Sequence, residues 1–500
     1  MQPVNNSLPV ILNRVAISLL MATLALACLG LFLHPGQGYP LFGYFDAWLV
    51  RIIKFSFYQA FLSAFLSIIF AIPFALILSY RSFRHSWILK ALLNLFFIMP
   101  VLTIVLSVVS FFSGWLNVFS LAGIIIAHML LNIPYALRVF WQRLDRVSIE
   151  HRILAQSIGM SWSQQFKVLQ WPILKSAMKP IFVIVFLFCF SSFTIVLTLG
   201  GGPANTNLEV AIYQALKFDF DPQAAAVYAI IHGIFATMMM LSLGRREIFS
   251  IEFSKSNSHQ YARPMYIQLV AIVVVLLLLA SPIVSLLLRS FSASFIFPNR
   301  FFEAITNSLL IAFLSAVVSM LLAIFRCSSR DTKLSRLLDF GVLLVPSMVI
   351  LTGIFLVALR LGIAYKVTWG LIIWMNALMT LPFITAPIHT RYRTIQQRYH
   401  DLSYTLDLNS VAKARYLYWP LMKSVLPWAF ALSMVLSVGD LGVAALIGSA
   451  QFTTLPILIY QAMGSYQMIL ATQLSVILLM VSVVILMVGE WLGEEKDVNR

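Results

Sequence analysis

Long apolar runs alternate with short polar segments along almost the whole chain. Twelve runs are legible, at roughly 12–33, 55–79, 88–111, 118–140, 179–199, 223–243, 265–288, 304–326, 337–359, 367–388, 425–448 and 469–492. Each is close to the length of about 20 residues that a helix needs to cross hydrocarbon. Backbone groups in hydrocarbon must be satisfied within their own segment, so the runs predict helices. The expected fold class is all-α, a polytopic membrane protein with about twelve transmembrane helices.

Composition agrees. Of 500 residues 61% are hydrophobic and 10% charged, with mean hydropathy +0.92. A soluble chain carries roughly 25% charged residues, so a large soluble enzyme is excluded. The net charge is +16, and its placement matters more than its size. Arg81, Arg84 and Lys90 follow the second run, and Arg143, Arg146, Arg152, Lys167, Lys175 and Lys179 the fourth. Further basic clusters follow the sixth, eighth and tenth runs, whereas the segments after odd runs are poorer in Lys and Arg. This is the positive-inside pattern, which puts both termini in the cytoplasm. It leaves no need for a nucleic-acid partner and makes membrane lipid the expected surroundings. The run from Val15 to Leu33 is longer than the apolar part of a signal peptide and reads as a retained first span. Cys28, Cys189 and Cys327 have no paired spacing that would mark a disulfide framework or a metal site.

The chain is also a tandem repeat. Phe61-Leu62-Ser63-Ala64 returns as Phe313-Leu314-Ser315-Ala316, and Ile212-Tyr213-Gln214-Ala215 as Ile459-Tyr460-Gln461-Ala462. Met99-Pro100 matches Val345-Pro346, and Pro134 matches Pro382. Six runs per copy in the same orientation make the repeat parallel. The expected division is a first repeat over 1–243, a polar linker over 244–264 and a second repeat over 265–500.

The most informative duplication lies in two basic loops, at about 141–178 and 390–424. One carries Ala155, Gly159, Trp171 and Pro172; the other Asp401, Ser403, Asp407, Trp419 and Pro420. A turn residue between two short amphipathic segments predicts a helix–turn–helix along the membrane face. The proline then starts the next span, where a missing N–H costs nothing.

This spacing resembles the Glu-Ala-Ala loop of ABC importer permeases, whose glycine is followed thirteen residues later by a proline, as Gly159 is by Pro172. The first copy has Ile153 and Leu154 where Glu-Ala would stand, and in the second Asp407 replaces the glycine. The resemblance implies a permease of the type I importer kind whose loops dock on two copies of a cytoplasmic ATPase. ATP and Mg would then sit on that partner, since the chain has no phosphate-binding Gly-Lys sequence and is expected to bind no cofactor or metal and to be no enzyme. The segment Leu199-Gly200-Gly201-Gly202-Pro203, with the phrase from Glu209 to Pro222, is similar to the thiamine-type permeases; fused ferric-iron permeases share the layout. The resemblance implies an inner-membrane subunit receiving thiamine or its phosphates from a periplasmic binding protein and working by alternating access.

Four acids are candidates for the pathway or its outer mouth. Glu209, Asp219 and Asp221 would form an acidic lip against Lys217, suited to a cationic substrate; the alternative is a solvated loop. Asp440 stands within the eleventh run beside Gly439 and Gly442, where a carboxylate either faces a polar route or serves as a hydrogen-bonded structural acid. An ion-coupled carrier is the rival of another class. It would need several intramembrane ionisable groups, and Asp440 is the one that stands out.

Overall fold

The computed structural model describes residues 7–32, 46–80, 83, 86–145, 147, 149–242, 265–295, 297–327, 346–409, 412–448 and 452–493. The expected linker over 244–264 lies outside them. The described residues form helices and no strands. Those of the first sequence half are α1 (Ser7–Phe32), α2 (Ala47–Ser79), α3 (Ser86–Ile98), α4 (Val101–Phe112), α5 (Leu121–Leu144), α6 (Ile149–Ser157), α7 (Trp162–Gln165), α8 (Trp171–Phe190), α9 (Phe193–Leu199), α10 (Leu208–Lys217) and α11 (Pro222–Leu241). The second half gives α12 (Tyr266–Ser290), α13 (Phe301–Cys327), α14 (Ser347–Arg360), α15 (Ala364–Thr405), α16 (Trp419–Met422), α17 (Leu426–Val438), α18 (Gly442–Ile447), α19 (Leu455–Gly464) and α20 (Met468–Gly493). The protein is an all-α, multi-pass membrane protein.

Each of the twelve apolar runs holds a described helix, but fewer are full-length spans. Among the described residues nine helices are long and apolar enough to cross a membrane, or eleven if two bent pairs each count as one span. The third run breaks by 96° between α3 and α4, because Pro100 at the junction has no N–H to continue the ladder. The helix entering the eleventh run, Lys413–Met422, meets Leu426–Val438 at a 62° bend, where Pro427 likewise leaves the carbonyl four residues earlier without its helical donor. Of the ninth run only Ser347–Arg360 and the preceding Pro346 are described.

Two compact units result. One contains the described residues of Met1–Tyr44, Ile212–Gly233 and Phe295–Arg500; the other those of Phe45–Ala211 and Ile234–Ser294. The first unit thus takes α1 from the first sequence half, packed on α14 and α13. Small residues permit the approach: a Cβ on Gly30 would run into the carbonyl of Gly353, and one on Gly353 into the backbone of Ala27. Trp374 Nε1 also donates to Thr23 Oγ1 at 3.2 Å. In the second unit α12 packs on α4 and α2, with Gln268 Nε2 donating to the carbonyls of Ile77 at 3.1 Å and Leu78 at 3.3 Å. The compact units therefore do not follow the expected division at 1–243 and 265–500.

Candidate functional site

The duplicated loops form two elbows built on the same local rules. In the first, α6 ends at a turn in which Gly159 has φ of +72°. The Met160 N–H donates to the Ala155 carbonyl at 2.9 Å. In the second, Asp407 has φ of +43° and Leu408 N–H donates to the Ser403 carbonyl at 3.2 Å. Both are Schellman-type helix ends, with the left-handed residue one place before the donor. Ala155 and Ser403 are buried under the turn, which accounts for the small residue in each copy. Asp is among the residues that accept the left-handed region, so Asp407 fills the place of the glycine.

Two positions after each turn stands a cap. Ser161 forms a capping box with Gln164, whose Oε1 accepts from the Ser161 N–H at 2.8 Å. Asn409 Oδ1 accepts from the Ala412 N–H at 2.8 Å. These caps were not singled out from the sequence, although Ser and Gln three residues apart carry the capping-box signature.

Each second arm then winds as a π-helix, over Phe166–Gln170 and Lys413–Tyr418. Trp171 N–H bonds back to Phe166, and Trp419 N–H to Ala414. The prolines that follow explain the wide turn. Pro172 and Pro420 offer no N–H to the carbonyls four residues earlier, so the preceding tryptophan closes a longer ring. Pro172 and Pro420 stand at the first positions of α8 and α16, and the second arm of the first elbow joins α8 in one helical stretch over Trp162–Phe190. The second elbow differs at its entry. Its first arm is the tail of the 42-residue α15, about 63 Å long at 1.5 Å per residue. Its arms are tied by Arg391 Nε donating to the Leu421 carbonyl at 3.1 Å and by Tyr392 stacked on Tyr418 at 4.7 Å.

Both elbows expose apolar side chains. Ile153, Leu154, Ile158 and Trp162 are exposed on the first; Leu402, Tyr404, Leu406 and Tyr416 on the second. Trp171, Trp419 and Asp401 are exposed as well. Just before the first elbow, Lys90 Nζ contacts Asp145 Oδ2 at 2.6 Å and sits over the Trp141 ring at 4.7 Å.

The four candidate acids do not form one cluster. Asp440 lies in a break of the eleventh run and accepts from the Gly442 N–H at 3.2 Å and the Val443 N–H at 3.1 Å. It caps the short helix α18. The first half breaks at the matching Ser191 and Ser192, before α9, so the break is duplicated and the carboxylate is not. Asp221 caps α11, accepting from Gln223 and Ala224 N–H groups at 3.0 Å each. Asp219 is exposed, whereas Glu209 is buried, so Glu209 does not lie at a solvated lip. Lys217 Nζ donates to the Gly448 carbonyl at 2.9 Å. The glycine turn that precedes α10 is real: Gly201 and Gly202 have φ of +68° and +116°.

Asp440 is also not alone as an ionisable group within the spans, since His128 and His232 are buried there. His128 belongs to a polar cluster between α2, α5 and α8. Ser63 Oγ meets His128 Nδ1 at 3.1 Å, Asn132 Nδ2 donates to Cys189 Sγ at 3.3 Å, and Gln59 Nε2 donates to the Cys189 carbonyl at 2.8 Å. The second half has a matching cluster. Asn376 Nδ2 donates to Ser437 Oγ at 3.0 Å, and Thr380 Oγ1 meets Ser319 and Ser433 at 3.1 and 2.8 Å. Such bonds hold helices together where lipid offers no hydrophobic drive. The signal was polar residues four apart within an apolar run, as in Gln59, Ser63 and Ser67.

No protein-family model matches the chain. Among curated proteins it is 31% identical over 457 residues to the thiamine transport system permease protein ThiP of Haemophilus influenzae, covering 84% of this chain and 85% of that protein. It is 32% identical over 483 residues to ThiP of Salmonella typhimurium and 31% over 487 residues to ThiP of Escherichia coli, with 90% of each chain covered in both cases. Identity at this level along nearly the full length of both chains, in an all-α multi-pass fold, means that the chain belongs to the family of thiamine transport system permeases.

Proposed function

We propose that this chain is the inner-membrane permease subunit of an ATP-driven, binding-protein-dependent importer of thiamine or its phosphates. The observation that carries the reading is the full-length identity to relatives named thiamine transport permeases. The matched elbows support its mechanical part. Ala155, Gly159, Trp171 and Pro172 on one side, and Asp401, Ser403, Asp407, Trp419 and Pro420 on the other, shape two similar surfaces with exposed apolar side chains. Each suits docking on one copy of a cytoplasmic ATPase, which would hold the ATP and Mg. With the termini in the cytoplasm, as the positive-inside pattern directs, the elbows face that partner and the α9–α10 segment faces the periplasmic binding protein.

ATP binding draws the two ATPase copies together, and rigid elbows carry the movement into the spans. The two repeats, 1–243 and 265–500, then expose the pathway to alternate sides. Coupling requires only that nucleotide and substrate favour different conformations. Asp219 and Asp221 stand at the mouth, and Asp440 shapes a break in the span.

The test is uptake of labelled thiamine into proteoliposomes holding this chain with its ATPase and a thiamine-loaded binding protein. Uptake that needs ATP is the expected result. Uptake driven by an ion gradient without the ATPase would favour a secondary carrier. ATPase stimulation by a ferric-loaded binding protein and not by a thiamine-loaded one would make iron the substrate.

A further inference from the structure

Two cations near the start of α2 break the charge pattern of the rest of the chain. Arg51 and Lys54 stand just inside the end of α2 that follows an odd run, where Lys and Arg are otherwise sparse. Asp46 caps this end by accepting from the Leu49 N–H at 2.8 Å, and the positive end of a helix gives a cation no help. Arg51 and Lys54 are exposed. Neither side chain has an ion pair or hydrogen bond with another described residue. They head a single stripe. Tyr58, Phe61, Phe65 and Ile69 follow at spacings of three and four, all exposed, with Phe61 stacked on Phe65 at 5.9 Å. α2 has 33 residues, about 50 Å at 1.5 Å per residue. Its uncharged part, 55–79, alone fills the hydrocarbon thickness of about 30 Å. Arg51 and Lys54 therefore lie at headgroup depth, with the Tyr58 ring one turn deeper, at the interface that suits such a ring.

The second repeat treats the same place differently. At the spacing that pairs Phe61 with Phe313, Arg51 matches Glu303, Lys54 matches Thr306 and Tyr58 matches Leu310. Arg300 donates to both oxygens of Glu303, from Nη2 at 2.9 Å and Nε at 3.0 Å, so that copy supplies its own counter-charge. The first copy presents two cations on one exposed stripe and leaves the counter-charge to the surroundings of the helix. We propose that Arg51 and Lys54, with Tyr58 below them, bind the phosphate of an anionic phospholipid in the outer leaflet, whose acyl chain lies along Phe61 and Phe65. Residues three apart on a helix are neighbours, so one phosphate can accept from both cations in charge-assisted hydrogen bonds. The site also reaches inward. Ser56, buried on the opposite face of α2, accepts from the Leu208 N–H at 3.0 Å. A lipid that fixes the depth of this end of α2 thereby fixes the start of α10. The leaflet follows from the orientation of the proposed permease; the choice of an anionic headgroup does not.

The test uses the full chain purified in detergent as wild type, as R51Q/K54Q and as R300Q. Native mass spectrometry measures retention of phosphatidylglycerol and of phosphatidylcholine, and thermal unfolding gives the Tm with each lipid. Wild type should prefer phosphatidylglycerol and gain Tm from it. R51Q/K54Q should lose affinity for phosphatidylglycerol by roughly fivefold for each cation removed, lose the gain in Tm, and keep its affinity for phosphatidylcholine. R300Q removes a cation that already has its partner and should match wild type. If the double variant fails to fold, R51Q and K54Q alone carry the same comparison. Unchanged phosphatidylglycerol retention in the variants, an equal loss for both lipids, or an equal loss in R300Q would overturn the proposal. Lost association with the thiamine-loaded binding protein at unchanged lipid retention would assign the cations to that protein instead. The leaflet has its own check, labelling of R51C in cells by a membrane-impermeant thiol reagent, above the labelling of the parent chain. Reaction from the periplasmic side is expected; reaction from the cytoplasmic side alone would overturn the orientation of the proposed permease and leave the lipid comparison standing.

Discussion

Gly159 and Asp407 hold the same left-handed turn with different means. A glycine does so without a Cβ; an aspartate accepts a cost that a β-branched residue cannot. Gly159→Val leaves open space around the new side chain, so the penalty is conformational, about 1–2 kcal/mol. The expected outcome is a chain that still inserts and binds its ATPase, with thiamine transported per ATP reduced several-fold. Parallel assays of hydrolysis and uptake check this, and an unchanged ratio would remove the turn from the coupling route. Asp440 invites a second residue-scale test. As a cap of α18 it should tolerate Asp440→Asn, while Asp440→Ala should cost about 1 kcal/mol and lower the Tm. A fall in uptake by the asparagine variant at unchanged Tm would show that the charge itself serves transport.

At the scale of elements, prolines write most of the departures from straight helices. Pro100 breaks one run, while Pro172 and Pro420 each widen the turn before them. Pro134 and Pro382, in contrast, sit inside α5 and α15 without ending them, as membrane spans allow more readily than soluble helices do. A proline in the sequence therefore marked a disturbance, and its neighbours decided the kind. The end of α5 depends on a different device. Lys90 from α3 and Asp145 at the α5 terminus are a largely buried ion pair, with Lys90 over the Trp141 ring. Lys90→Met would leave the Asp145 carboxylate with only the neighbouring Arg138 as a cationic partner, at a cost of up to about 3–5 kcal/mol. Thermal unfolding in detergent should show the loss. Lys90→Met with Asp145→Asn should recover part of it, since neither member of the pair then keeps a charge, while Arg138 beside Asp145 still does.

For the whole molecule the exchange of first spans is decisive. α1 packs within the unit that contains most of the second repeat, and α12 within the unit that contains most of the first. A fragment holding 1–243 alone would therefore lack α12, and its α1 would have no Gly353 to meet. Expressed separately, each fragment should be degraded or aggregate. Co-expression of 1–243 with 265–500 should restore a single monodisperse species on size exclusion. Stable, monodisperse recovery of either fragment alone would show that the exchanged spans are dispensable.

The sequence by itself determined that the chain is helical and membrane-embedded, because twelve apolar runs admit no other satisfied backbone. It also determined the elbow turns, because a left-handed residue and a Trp-Pro pair are local signals read within a few residues. It could not show that Glu209 is buried, that Asp440 caps a helix, or that Ser63, His128 and Cys189 meet. Nor could it show which bundle each first span joins. Those outcomes depend on contacts between residues far apart in the chain, where hydropathy reports that a face is apolar and says nothing of its partner. Only the tertiary structure chose them, through small residues that let two backbones touch and through polar groups that had to find one another away from water.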